Sequence, residues 1–254
     1  MSGRWQRRSL PVCASTELEL DRWLKQQPPP AAATPDSLEW RRLVVAKRQR
    51  FGHGQQGRIW TSPAGGLWLS AAFPWPAHPE RAAALPLALS LGLACQLEQI
   101  GLPERRIPLA IKWPNDLIVQ GRKLAGLLPR LRLRGGRVRW GQVGLGLNGT
   151  NPVPVGAIGL GEALQAAAGR PGQRFDPRAT PRTLERLACR SIETALALAD
   201  QPEQVRQGVE QRLWRPAAGI ERDGTTWRIA GLLADGGLAV VAPDGRRSIW
   251  RRTF

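Results

Sequence analysis

The sequence predicts an α+β protein: a mixed β-sheet domain with flanking helices over residues 1–213, then a small β-barrel over residues 214–254. Three observations carry this reading. Four apolar runs between Pro108 and Leu147 are separated by short turns, as consecutive strands are. Helical patterns lie on both sides of them. After Trp214, Asp223-Gly224, Asp235-Gly236-Gly237 and Asp244-Gly245 place a turn signal about every ten residues, the texture of a small barrel. At 254 residues the chain can bury one substantial core and carry a small second domain beside it.

Taken in order, Ser15 and Thr16 open an amphipathic helix over Leu18–Leu24, with Thr16 and Glu19 at capping-box spacing. The prolines of Gln26–Pro30 and Ala31–Pro35 stop it in a surface loop. Leu43–Lys47 is a short β-rich run. It enters Gly52-His-Gly-Gln-Gln-Gly57, and another apolar run follows at Leu67–Phe73. Pro79–Ile100 predicts a buried helix, with Pro86 a candidate kink. The four strands are expected at Pro108–Trp113, Asp116–Gln120, Lys123–Leu133 and Arg137–Leu147, with Gly135-Gly136 as a hairpin turn. Gly161–Ala168 and Thr183–Ala199 predict helices, extended by Pro202–Leu213. There is no internal repeat.

Composition narrows the class. A hydrophobic fraction of 42% belongs to an ordinary globular protein. No run of about 18 apolar residues offers a membrane span, and the basic N-terminus has no apolar segment behind it to make a secretory signal. Cys13, Cys95 and Cys189 lie far apart, which argues against disulfides or a zinc site and for a reducing cytoplasm. The net charge of +17 invites a nucleic-acid reading. However, of 37 basic residues only Lys25, Lys47, Lys112 and Lys123 are lysine, the pattern of arginine replacing lysine over a whole solvated surface. Where lysine survives such a bias, a compact ammonium is needed.

Gly52–Gly57 and Gly144–Gly149 both match G-x-G-x-x-G. A dinucleotide fold requires a helix directly after the glycines. Arg-Ile-Trp-Thr-Ser-Pro follows one and Thr-Asn-Pro-Val-Pro the other, so that reading fails. Leu109-Ala-Ile-Lys112 resembles a kinase strand, yet His-Arg-Asp and Asp-Phe-Gly are absent. Lys47, Arg48, Arg50 and Arg58 surround the first glycine loop, which suits phosphate binding and a mobile basic loop equally.

The segment Lys112–Leu128 is more specific. It predicts two strands joined by the turn Gly121-Arg122, pairing Gln120 with Lys123, Ile118 with Ala125 and Asp116 with Leu127. Asp116 and Lys123 then share a face about 13 Å apart along the ladder. That span suits a nucleotide's phosphate chain, held between a carboxylate for Mg²⁺ and an ammonium for an anion.

These residues resemble the signature of biotin protein ligases, and the resemblance runs through residues 10–165 in order. Ser15-Thr16 sits at the family's Ser-Thr-Asn element, Gln49–Trp60 at its biotin and phosphate loop, and Trp60–Ser70 at the continuation. Lys112–Asp116 matches Lys-Trp-Pro-Asn-Asp, Lys123–Leu128 the catalytic lysine strand, and Gly144–Asn148 the closing Gly-x-Gly-x-Asn. Two positions depart: Glu17 stands where the family has Asn, and Gln55 where many members have Arg.

The resemblance implies a class II synthetase-like catalytic fold with an SH3-like C-terminal barrel. It also implies an enzyme that activates biotin with MgATP to biotinyl-5′-AMP and transfers it to a lysine of a biotin carboxyl carrier protein. The implied catalytic residues are Lys123, Asp116 and Arg58. Biotin falls to Ser15, Thr16, Gln49, His53, Gly54, Gln55, Trp60, Lys123 and Gly126. ATP falls to Arg58, Trp60, Lys112, Asn115, Asp116 and Asn148, with Mg²⁺ on Asp116. A monomer or homodimer is expected, with no membrane and no specific nucleic acid as partner. The alternatives are a lipoate or octanoate ligase or transferase of the same architecture, or a basic nucleic-acid-binding protein with decayed motifs.

Overall fold

A seven-stranded mixed sheet organises the chain in the computed structural model, which describes residues 5–30, 40–75, 85–102, 108–233 and 235–251. Its strands are β1 (Trp5–Leu10), β2 (Arg41–Ala46), β3 (Leu67–Phe73), β4 (Leu109–Lys112), β5 (Asp116–Val119), β6 (Arg122–Arg134) and β7 (Arg137–Leu147). They lie in the order β1-β2-β3-β7-β6-β5-β4. β1 and β2 pair in parallel and the other neighbours antiparallel. The expected segment Ala31–Pro35 lies outside the described residues, as does the first part of Pro79–Ile100.

β2 and β3 are buried on both faces, so they read as continuous apolar runs. Leu43, Val45, Leu67, Leu69, Ala71 and Phe73 enter the large core. Val44 and Ala72 face the opposite way, against Leu20, Trp23 and Leu24 of helix α1 (Thr16–Gln26). The large-core face is covered by α2 (Leu85–Gln99), α4 (Pro181–Ala197) and α5 (Pro202–Glu210), with α3 (Leu160–Ala167) beside them. α2 is apolar all round because it lies between the sheet and α4. Pro86 is the second described residue of this helix.

Three local expectations change. Ser15, not Thr16, caps α1: its Oγ accepts the Glu17 N–H at 3.2 Å, which frees Thr16 for the site. β1 is an additional strand; Trp-Gln-Arg-Arg-Ser-Leu is polar because it forms the exposed edge of the sheet. The β5–β6 turn is Gln120-Gly121, both at positive φ (52° and 73°), rather than Gly121-Arg122. A bulge after Leu117 then shifts the register, so Asp116 opposes Gly126, Leu117 opposes Ala125 and Ile118 opposes Lys123.

A second sheet follows α5. β8 (Ile220–Arg222), β9 (Thr225–Leu232), β10 (Leu238–Val241) and β11 (Arg247–Trp250) are antiparallel, in the order β11-β10-β9-β8. The three Asp-Gly signals mark the three connections. The Arg222 guanidinium lies 4.8 Å from the Trp250 ring centre, so the two outer strands meet. Leu232, Leu238 and Val240 join the large core, and Glu210 accepts the Leu232 N–H at 2.8 Å. The expected division at 213 falls between α5 and β8.

Candidate active site

The α1 side of the sheet is nearly bare of side chains at its centre. Register alone builds a row across five strands: Trp68 of β3, Gly146 of β7, Gly126 of β6, Asp116 of β5 and Lys112 of β4. The next row carries Ser70, Gly144 and Leu128. The two glycines leave a slot in which the Trp60 indole lies on the sheet. A methyl on Gly126 would sit 2.8 Å from its Cζ3, and one on Gly146 would sit 2.6 Å from its Nε1. Above this floor opens a cavity of about 390 Å³.

All fourteen residues expected in the site line that cavity, from Ser15 and Thr16 through Gln49, His53, Gly54, Gln55, Arg58 and Trp60 to Lys112, Asn115, Asp116, Lys123, Gly126 and Asn148. Their individual geometry is more uneven. The Lys123 Nζ lies 2.7 Å from the Asp116 Oδ2, an ion pair rather than two charges about 13 Å apart. The bulge and the earlier turn bring the two side chains together. The same ammonium stands 4.9 Å from the Trp60 ring centre.

A polar cluster fills the other end. The Gln49 Oε1 accepts from the Thr16 N–H at 2.8 Å and from its hydroxyl at 3.0 Å, and the Gln49 Nε2 donates to the Ser62 Oγ at 2.9 Å. The Thr16 Oγ1 also meets the Ser70 Oγ at 2.8 Å. Ser70 and Ser62 were not anticipated; alternation along β3, which turns Ser70 toward α1, was the signal for the former. Ser15 is committed to its cap.

Two expected nucleotide residues serve the frame as well. Asn115, buried, donates its Nδ2 to the Leu127 carbonyl and locks the start of β5 to β6. Asn148, also buried, donates to the Lys123 carbonyl at 3.4 Å and accepts from the Asn151 Nδ2 at 3.3 Å. Lys112 is exposed, its Nζ 5.1 Å from the Trp214 ring centre. Glu17, noted in the sequence only as a departure from the family, also lines the cavity: its carboxylate meets the His53 Nε2 at 2.8 Å and the Arg130 Nη1 at 2.5 Å.

Among the described residues, no three His, Cys, Asp or Glu side chains gather as a metal site. Asp116 offers a single carboxylate at the cavity wall. That donor set suits Mg²⁺, which takes one or two carboxylates and completes its shell with phosphate oxygens and water. No described helix is long and apolar enough to cross a membrane.

Residues 32–148 match the Biotin/lipoate A/B protein ligase family. The bifunctional ligase/repressor BirA of Escherichia coli is 37% identical over 105 residues, 41% of this chain and 32% of its own length. The biotin–acetyl-CoA-carboxylase ligase of Paracoccus denitrificans is 36% identical over 146 residues, 53% of this chain and 55% of its own. The matched stretch thus spans between a third and just over half of these two relatives. Among solved structures, the biotin protein ligase of Aquifex aeolicus in complex with biotin and ATP superposes with a TM-score of 0.65 at 23% identity, over 97% of this chain and 99% of that one. The Leishmania major enzyme in complex with biotinyl-5-AMP gives 0.61 at 21% identity, over the same shares. These likenesses establish the fold.

Proposed function

We propose, on the premise that residues 32–148 belong to the Biotin/lipoate A/B protein ligase family, that this chain is an ATP-dependent biotin–protein ligase. In this reading the biotin carboxylate attacks the α-phosphate of ATP and expels pyrophosphate. A lysine amine of an acceptor protein then attacks the carbonyl of biotinyl-5′-AMP and expels AMP.

The observation that carries it is the Lys123–Asp116 pair beside Trp60, on a floor cleared by glycines. Both partners of the first step are anions, so the chemistry is chiefly positioning and charge neutralisation. Lys123 turns from Asp116 to the carboxylate and the α-phosphate. Asp116 would then hold Mg²⁺, which would supply further neutralisation of the phosphates. Trp60 walls the intermediate, and Arg58 meets phosphate oxygens. The Thr16, Ser70 and Gln49 cluster provides the paired donors and acceptors that a ureido ring requires. Asn148 and Lys112 lie toward the nucleotide.

A carboxyl carrier domain is the proposed acceptor, supported by the likeness to the biotin–acetyl-CoA-carboxylase ligase of Paracoccus denitrificans. Three cysteines without disulfides support a reducing, cytoplasmic setting. Biotin-dependent ATP–pyrophosphate exchange is the test. Exchange that requires lipoate or octanoate instead, or none with any of the three, overturns the reading.

A further inference from the structure

We propose that Glu17 is a positioning residue that latches the glycine loop over the cavity through His53, a role that rests on the ligase reading for its catalytic meaning. The loop is a narrow two-sided finger. The Trp60 N–H bonds to the Gly52 carbonyl at 2.8 Å, His53 bridges Ile59, and the Gly54 N–H bonds to the Arg58 carbonyl at 2.7 Å. Its tip, Gln55–Gly57, contains Gln56 in the left-handed region at φ 56°. Gln56, Gly57, Arg58 and Ile59 are exposed, with Ile59 88% accessible, so packing does little to hold the tip.

Glu17 reaches the finger from the body at His53. It sits in the first turn of α1, where the helix dipole and the Ser15 cap favour a carboxylate. The Arg130 guanidinium on β6 fixes one carboxylate oxygen at 2.5 Å, and the other takes the His53 Nε2 at 2.8 Å. The carboxylate is therefore aimed before His53 arrives, and only 12% of its side chain is accessible. An aimed, largely desolvated acceptor makes a strong charge-assisted hydrogen bond. The latch thus connects α1, β6 and the finger, and sets how far Arg58 and Trp60 stand from the cavity floor.

The test uses the full chain with Glu17→Ala, Glu17→Gln and His53→Ala. Amide hydrogen exchange is followed in the ligand-free protein, and release of biotinyl-5′-adenylate in the loaded one. The expected result is exchange at Gly54 and Trp60 about tenfold faster in Glu17→Ala and His53→Ala. Glu17→Gln, which keeps an acceptor oxygen for His53, recovers part of that protection. Exchange in β6 and β7 stays unchanged, and adenylate release accelerates with loop exchange. Unchanged loop exchange in His53→Ala, which leaves the Glu17–Arg130 pair intact, overturns the latch; so does an equal rise throughout the sheet. Failure of the wild type to bind the adenylate would defeat the ligase reading alone, because loop exchange in the free protein still decides the latch.

Discussion

The ammonium of Lys123 and the carboxylate of Asp116 face one another at 2.7 Å across the β5–β6 bulge, where each neutralises the other in the absence of substrate. Both remain partly accessible, so the pair can open to an anionic ligand at low cost. Lys123→Ala should lose roughly 2–4 kcal/mol of transition-state stabilisation, the scale of one preorganised charge contact. Adenylate formation near the wild-type rate would remove Lys123 from the chemistry.

The glycine floor makes a second prediction. Gly146→Ala places a methyl against the Trp60 indole, so the ring must leave the sheet. A stability loss of about 1–3 kcal/mol follows from overpacking, together with weaker biotin binding and a changed tryptophan emission. An alanine variant with unaltered biotin affinity would show that the ring is not a wall of the ligand site.

Gln55 borders the cavity at the tip of the finger. A guanidinium there forks onto phosphate oxygens where an amide cannot. Gln55→Arg should slow dissociation of biotinyl-5′-AMP, measured by chase with unlabelled intermediate. An unchanged off-rate assigns retention to Arg58.

Away from the site, Asp176 sets part of the acid stability. Its buried carboxylate accepts from the Arg178 Nε at 2.9 Å, Nη2 at 2.8 Å and backbone N–H at 2.9 Å, and the Arg178 side chain holds it below the usual carboxylate range. A depressed folded value means stability that is present above the unfolded value of roughly 3.9 and lost as pH falls through the folded one. Asp176→Asn should therefore cost about 1–3 kcal/mol at neutral pH and flatten the decline below about pH 4. Parallel denaturation curves for variant and wild type down to pH 3 would contradict this.

The thiols should be quiet. Burial pushes Cys13 up to about 11 and Cys189 to about 12, and raises Cys95 as well. At pH 8 the native protein should react with iodoacetamide on the order of a hundredfold more slowly at Cys13 than the unfolded chain does. Rapid labelling of Cys13 at that pH would show that its bridge to Gln49 opens readily.

Sequence alone carried much of this site because its motifs are contiguous. β3 and β7 are bounded at the residues expected, since a run buried on both faces and a long alternating strand leave little ambiguity. The hairpin turn was placed one residue too late because Gln120 adopts a positive φ that few side chains favour, which moves the partner of Ile118 by two residues and, past the bulge, that of Asp116 by one. Tertiary partnerships were beyond reach. Nothing local pairs Glu17 with Arg130, which lies 113 residues further along the chain, or turns Thr16 from a cap into a partner of Ser70. The polar strand β1 likewise lacks apolar periodicity, because its edge position asks for none.

The bare row of Gly126 and Gly146 also limits how ligand preference can drift. Recognition usually broadens when a lining side chain is exchanged for a smaller one, but hydrogen is already the smallest substituent. Along this row, substitution can only subtract room. A bulkier acid could be admitted chiefly by trimming Trp60, the large ring resting there, and that same ring faces the Lys123 ammonium to which the proposed ligase reading gives the chemistry. In the ligase reading, selectivity and reactivity are therefore tied to one indole, and a relaxed substrate range should come with a slower first step.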